Sequence, residues 1–180
     1  MSVQALKRYQ VEAERDRTAS PLHRFTASTI AIANRQRTKK FNSRVLKTIV
    51  SALLVELKIE NAEMGINLVG AKEMARVNRQ FLRHEGSTDV ITFDHSEEQK
   101  AESRRQKIIQ GELFVCVDDA VAQAVEFKTS WQSEMVRYIV HGVLHLLGHD
   151  DLKPALRRKM KRAENRLVRR LSGKFSFTEL

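Results

Sequence analysis

The chain has 180 residues, of which 42% are hydrophobic and 30% are charged, and its formal net charge is +10. This composition is typical of one globular domain with room for a hydrophobic core. No apolar run is long enough to cross a membrane, and residues 1–20 lack the apolar stretch of a secretory signal. Cys116 is the single cysteine, which excludes a disulfide framework and a cysteine-based zinc site. We therefore expect a cytoplasmic protein with no membrane and no disulfide-linked partner.

Positive charge is concentrated at both ends of the chain. Residues 1–48 and 152–180 are strongly basic, whereas residues 49–151 carry more Asp and Glu than Lys and Arg. Basic ends suit a polyanion such as RNA or DNA. Solvated helix faces that keep the protein soluble are the other explanation, and charge alone leaves both open.

Hydrophobic periodicity predicts alternating strands and helices after a polar start. Residues 1–26 show no sustained period, and we expect a weakly ordered basic extension with room for a short helix at 3–15. Alternating or β-branched segments predict strands at 28–33, 65–70, 88–94 and 111–117. The polar stretch at 95–108 predicts a loop.

Five helices are predicted from apolar spacing and end signals. The first two are expected at 43–57, with Asn42 or Ser43 as N-cap, and at 71–82. The third begins at Asp118 or Asp119 as its cap and runs to about 127. The fourth spans 131–147 after Ser130, and the fifth begins at Pro154 and ends at Gly173. The helix at 131–147 is apolar around nearly its whole circumference, so it should be central and buried. The prediction is an α+β fold, a small mixed four-stranded sheet covered by about five helices, with residues 27–173 as one domain and 174–180 as a C-terminal tail.

The stretch HGVLHLLGHDD, residues 141–151, is the strongest functional feature. His141 and His145 are four residues apart on the central helix, so both imidazoles can converge on one zinc ion. Both His149 and Asp151 are candidates for a third ligand. His149 would lie about 12 Å along an unbroken helix from His141. Gly148 can instead turn the chain back, so that Asp151 reaches the pair, and we favour Asp151.

Two alternatives remain for this stretch. The histidines could be core residues that hydrogen-bond to backbone or carboxylate groups without any metal. A zinc peptidase would need a glutamate general base after the first histidine, and Gly142 stands there. Phosphodiester hydrolysis is one use of such a zinc site, and basic arms would help to hold a polyphosphate chain.

Three segments together resemble the YbeY family of bacterial endoribonucleases and rRNA maturation factors. They are HGVLHLLGHDD, STDVITF at 87–93 and GELFVCVDDA at 111–120, within a match from about 28 to 171. The resemblance implies a small sheet covered by helices, with a metal site at the end of the central helix. It also implies a single-strand-specific, metal-dependent endoribonuclease in the maturation of the 3′ end of small-subunit rRNA and in ribosome quality control. Its partners would be rRNA and the small ribosomal subunit.

The same resemblance implies one zinc ion per chain, held by His141, His145 and Asp151, with the metal-bound water as the reactive group. Asp151 stands where the family has a third histidine, which makes the site less positive, and His149 stands where tyrosine is common. The family's arginine before Thr-Asp-Val falls on Leu82, and Arg83 beside it would point about 100° away on a helix. Arg83 and His149 are therefore the candidate catalytic side chains, and no residue is a secure general base.

The last helix carries eight Lys and Arg residues, opposed by Glu164 alone. We expect Arg157, Arg158, Lys161 and Arg162 to contact RNA. A second hypothesis is a non-enzymatic ribosome-assembly or RNA-binding factor whose metal is structural.

Overall fold

The computed structural model describes residues 28–96 and 108–180. The elements are β1 (Thr29–Asn34), α1 (Ser43–Glu56), β2 (Asn61–Val69), α2 (Ala71–Val77), β3 (Val90–Asp94), β4 (Ile108–Cys116), α3 (Val117–Phe127), α4 (Trp131–Leu146) and α5 (Pro154–Ser172). The predicted extension at 1–26, with its helix at 3–15, and most of the predicted loop at 95–108 lie outside the described residues.

The four strands form one mixed sheet in the order β1-β2-β4-β3. β1, β2 and β4 are parallel, and β3 runs antiparallel to β4. Ile66 of β2 pairs with Ile32 on one side and Leu113 on the other, so these apolar side chains share one face. The predicted α+β class with a mixed four-stranded sheet and five α-helices is confirmed.

The main hydrophobic core lies between this face of the sheet and α4. α4 contributes buried residues from most of its circumference, among them Met135, Ile139, Val143 and Leu144. α1 and α5 complete the core around it. The prediction that this helix is central and buried is therefore confirmed.

A smaller cluster lies on the opposite face of the sheet, under α2. It consists of Val69, Met74, Val77, Ile91 and Cys116. Burial raises the pKa of the Cys116 thiol to about 12, so the thiol is protonated at neutral pH. Cys116 is therefore a small core residue.

Helix starts follow the expected capping chemistry at three places. Asn42 Oδ1 accepts hydrogen bonds from Arg44 N and Val45 N at the start of α1. Ser130 Oγ accepts from Ser133 N at the start of α4, and Pro154 occupies the first turn of α5.

The predicted cap of α3 is wrong. β4 runs directly into α3, whose N-cap is Cys116, so Asp118 and Asp119 lie inside the first turn. There their charges suit the positive end of the helix dipole. Asp118 Oδ2 also accepts from Ala71 N at 2.7 Å, which satisfies a free amide at the start of α2.

The predicted helix at 71–82 changes type along its length. After α2 the chain forms a π-helical segment, Asn78–Leu82, and Arg83 takes a left-handed conformation with φ of 57°. Asn78 is buried and its Nδ2 donates to Gly86 O at 2.9 Å, which ties this segment to the following loop. Leu82 packs on the smaller core cluster, and Arg83 is exposed.

Two strands begin earlier than predicted, at Asn61 and Ile108, which pair with each other. The added residues of β2 do alternate, with Ala62 and Met64 buried and Glu63 exposed. The segment 174–180 packs onto the domain, since Phe177 and Leu180 are buried and Leu180 O accepts from Asn42 N at 2.8 Å. Within residues 28–96 and 108–180, no helix is long and apolar enough to cross a membrane.

Candidate metal centre

The chain reverses at the end of α4 through a glycine-terminated cap. Gly148 has φ of 81°, its N–H donates to His145 O at 2.8 Å, and His149 N donates to Leu144 O at 3.0 Å. These two hydrogen bonds define a Schellman motif, which closes the helix and redirects the chain. The predicted left-handed turn at Gly148 is confirmed, and it carries the next residues back beside the two histidines.

The two imidazoles of α4 face each other through their Nε2 atoms, which are 3.0 Å apart. His141 Nδ1 lies 3.0 Å from Glu164 Oε2, and His145 Nδ1 lies 3.0 Å from His149 O. Because an ionised carboxylate and a carbonyl only accept, each Nδ1 is the donor. These are the hydrogen bonds that two core histidines would make, but both use Nδ1 and leave each Nε2 lone pair directed at the other ring.

Asp151 completes a group of three. Its carboxylate oxygen and the two imidazole nitrogens all lie within 4.8 Å of one another. Asp151 Oδ1 is buried and has no hydrogen-bond partner in the described part of the chain. Two bonds of about 2.0–2.1 Å in tetrahedral geometry would place two nitrogens roughly 3.3 Å apart. The donor set of two nitrogens and one oxygen therefore fits a small divalent ion such as zinc.

The local electrostatics favour neutral, ligand-competent imidazole at His145. Burial, followed by the charge of His141, lowers the pKa of His145 below its usual value, although Asp151 acts in the opposite direction. Burial alone would raise the pKa of Glu164. Its hydrogen bonds to His141, Lys161 and Arg137 outweigh that effect, and the pKa falls to about 2. Glu164 is thus an anion at neutral pH.

Gly142 explains how α4 approaches the sheet beside His141. A Cβ atom at Gly142 would lie 2.7 Å from Leu113 Cδ2 and 3.3 Å from Thr92 Oγ1. The position after His141 therefore faces the sheet, and any larger side chain there would be forced into the core. A glutamate base at this position, as in zinc peptidases, has no room.

The other predicted site residues are placed in different ways. His149 contributes its carbonyl to the ring of His145. Arg83 is exposed, and within the described ranges no hydrogen bond or ion pair joins its side chain to the three grouped residues. Arg157 Nε donates to Asp151 O at 3.0 Å, and Lys161 Nζ donates to Glu164 Oε1 at 2.8 Å.

Arg158 and Arg162 are exposed one turn apart on α5. Neither forms an ion pair with another described residue. Of the four cations predicted to contact RNA, Arg157 therefore holds the backbone of Asp151, Lys161 holds Glu164, and the other two are exposed.

Two side chains beside the group were missed by the sequence predictions. Glu164 of α5 and Arg137 of α4 are joined by an ion pair of 2.7 Å next to His141. The available signal was that Glu164 is the only acid on the apolar stripe of a basic helix. A lone carboxylate at a core position of such a helix predicts a buried group that needs cationic partners.

The described residues form an α+β fold with a histidine-rich, metal-capable site, and three comparisons agree on the class of protein. The family model for endoribonuclease YbeY matches residues 30–172. The endoribonuclease YbeY of Chlorobium phaeovibrioides is 36% identical over 134 residues, which is 74% of this chain and 85% of that protein. That of Elusimicrobium minutum is 35% identical over 124 residues, or 69% and 85% of the two chains.

A solved structure supports the same assignment. The solution structure of TM1509 from Thermotoga maritima is 26% identical and has a TM-score of 0.59, covering 81% of this chain and 91% of its own. The chain belongs to the YbeY endoribonuclease family.

Proposed function

We propose that this protein is a metal-dependent endoribonuclease that cleaves single-stranded RNA, with one zinc ion held by His141, His145 and Asp151. The observation that carries the proposal is the group itself, with two Nε2 atoms 3.0 Å apart and a buried carboxylate oxygen beside them. A zinc ion held by these three residues would supply the chemistry of an acidified water molecule and a polarised phosphoryl oxygen. The carboxylate of Asp151, in place of a third imidazole, makes the ligand set itself more negative.

The basic side of α5 supports RNA as the substrate. Arg157 and Lys161 donate to groups that directly support the proposed metal ligands. Arg158 and Arg162 continue the positive charge outward on the same helix. A single strand that lies along α5 would bring its phosphodiester backbone beside the group of three.

We further propose that the biological substrate is rRNA, that the reaction matures the 3′ end of the small-subunit rRNA, and that the protein acts with the small ribosomal subunit in the cytoplasm and in ribosome quality control. Membership of the YbeY family supports these assignments. For this activity we expect neither a membrane nor a disulfide-linked partner.

The test of cleavage uses purified protein and matched RNA oligonucleotides. Wild-type protein loaded with zinc should cleave a single strand and leave the corresponding duplex intact. His145→Ala should remain folded by circular dichroism, lose zinc by elemental analysis and lose cleavage. If folded His145→Ala cleaves as well as wild type, the activity does not come from this site and the proposal fails.

The test of RNA binding uses the salt dependence of affinity. Each phosphate contact to a single strand contributes a slope of roughly 0.7 in the logarithmic plot of affinity against salt. Arg158→Gln with Arg162→Gln should therefore reduce the slope by roughly 1.4, whereas Arg44→Gln with Lys47→Gln on α1 should not. If wild type binds ribosomal RNA but never cleaves it, a non-enzymatic assembly factor with a structural metal explains the site instead.

A further inference from the structure

A buried carboxylate lies directly behind the proposed metal ligand His141. Glu164 is 2% exposed. It accepts hydrogen bonds from His141 Nδ1 at 3.0 Å, Arg137 Nη1 at 2.7 Å and Lys161 Nζ at 2.8 Å. Removing a carboxylate from water costs several kcal/mol unless partners compensate, so its place at the α4–α5 interface needs an explanation.

The two oxygens of Glu164 have different partners. Oε1 accepts from both cations, and Oε2 is left to the histidine ring. Arg137 is itself fixed, because its Nη1 also donates to Asn165 Oδ1 at 2.7 Å and its Nε lies 3.5 Å from Glu134 Oε2. The carboxylate is therefore held from both helices and cannot turn away from His141.

This arrangement decides which nitrogen of His141 carries the proton. With Nδ1 donating to Oε2, Nε2 keeps its lone pair toward His145 Nε2 and the site. In the other tautomer, the Nδ1 lone pair would face a carboxylate oxygen and Nε2 would lose its capacity to bind a metal. His145 is oriented in the same way by His149 O, but that partner is a backbone carbonyl which no side-chain substitution removes.

We propose that Glu164 is a positioning residue, which holds the His141 ring in the tautomer and orientation needed to bind the metal. The inference rests on the proposed metal site, but it does not require that the protein cleave RNA. Carboxylates that accept from ligating histidines typically change metal affinity by about 10- to 100-fold when they are removed.

Glu164→Gln is the informative variant because it keeps the shape of the side chain. Arg137 and Lys161 can only donate, so they should hold the amide oxygen where Oε1 now lies. The amide NH₂ then faces His141 Nδ1, which must accept. The His141 proton moves to Nε2, where it blocks metal binding.

The matched control is Glu56→Gln. Glu56 also joins α5 to another helix, since it accepts from Arg170 Nη1 and Lys174 Nζ, each at 2.7 Å, and within residues 28–96 and 108–180 it has no hydrogen bond or ion pair with a histidine. A purely structural role for Glu164 predicts that both variants behave alike.

Two measurements on the full-length protein decide the question. Nitrogen-15 spectra of the imidazole rings, recorded on metal-free protein at alkaline pH, report the tautomer of His141. We expect the proton on Nδ1 in wild type and Glu56→Gln, and on Nε2 in Glu164→Gln. Competition with a chelator should show zinc affinity about 10- to 100-fold weaker in Glu164→Gln and unchanged in Glu56→Gln.

Three results would overturn the proposal: wild-type His141 protonated on Nε2, wild-type zinc affinity in folded Glu164→Gln, or an equal loss in Glu56→Gln. If Glu164→Gln does not fold, the wild-type spectrum decides by itself. A protein with the expected tautomers and affinities but no RNA cleavage would refute the proposed function and leave the role of Glu164 intact.

Discussion

The left-handed turn at Gly148 predicts how much the substitution Gly148→Ala lowers the free energy of unfolding. The same substitution at Gly173 provides the reference value. Gly148 has φ of 81°, and a Cβ atom built there would meet nothing within 4 Å. Gly148→Ala therefore adds no clash, and its cost comes from the backbone alone. A left-handed conformation costs an L-residue about 1–2 kcal/mol relative to glycine.

Gly173, which follows α5, is the matched site. Its φ is −75°, in the right-handed region, and an added Cβ would lie at an ordinary 3.6 Å from its nearest neighbours. Both variants restrict the unfolded chain to the same extent, which favours folding by about 0.4–1 kcal/mol. That contribution cancels in the comparison, so the two free energies of unfolding should differ by the left-handed cost of about 1–2 kcal/mol, with Gly173→Ala the more stable.

Urea unfolding of the metal-free variants, followed by the fluorescence of Trp131, measures this difference. Gly148→Asn should fall between Gly148→Ala and wild type, because asparagine tolerates the left-handed region. If Gly148→Ala equals or exceeds Gly173→Ala in stability, the turn is not under the constraint that we infer. The argument that glycine carries Asp151 back to the histidines would then fail.

Three further substitutions test other contacts. Gly142→Ala should lower the free energy of unfolding by about 1–3 kcal/mol because its Cβ would lie 2.7 Å from Leu113 Cδ2; a neutral effect in urea unfolding would mean that α4 can move off the sheet freely. Tyr138→Phe should not lower the melting temperature, because the Tyr138 hydroxyl is buried without a hydrogen-bond partner among the described residues; a clear loss would show that the hydroxyl has a partner. Glu56→Gln should destabilise the protein at neutral pH, since hydrogen bonds from two cations lower the pKa of Glu56 below 4.5. The stabilisation by ionised Glu56 is fully present above pH 4.5 and is lost as the pH falls through the lower pKa of the folded state. The free energies of unfolding of wild type and Glu56→Gln should therefore converge in acid. A difference between them that is constant with pH would contradict this role of Glu56.

The sequence predicted elements well where local chemistry decides them. Asn42, Ser130 and Pro154 start helices because capping and proline geometry act within one turn, and Gly148 ends α4 for a similarly local reason. The cap of α3 was mispredicted because β4 continues into it without a loop. The π-helical turn at Asn78–Leu82 is accompanied by a hydrogen bond from Asn78 to Gly86, which helical spacing does not predict.

In the candidate site, too, local features could be predicted from the sequence and long-range contacts could not. Spacing by itself determined that His141 and His145 share a helix face and that a glycine turn could return Asp151 to them, since all three lie within eleven residues. Tertiary structure alone decided the ring orientation, because the partner of His141 is Glu164 on another helix, 23 positions away. It also decided that Gly142 faces the sheet, because only packing against Leu113 and Thr92 distinguishes that side of α4 from the side that bears the histidines. Helical periodicity specifies which side chains share a face, whereas long-range packing specifies what that face touches.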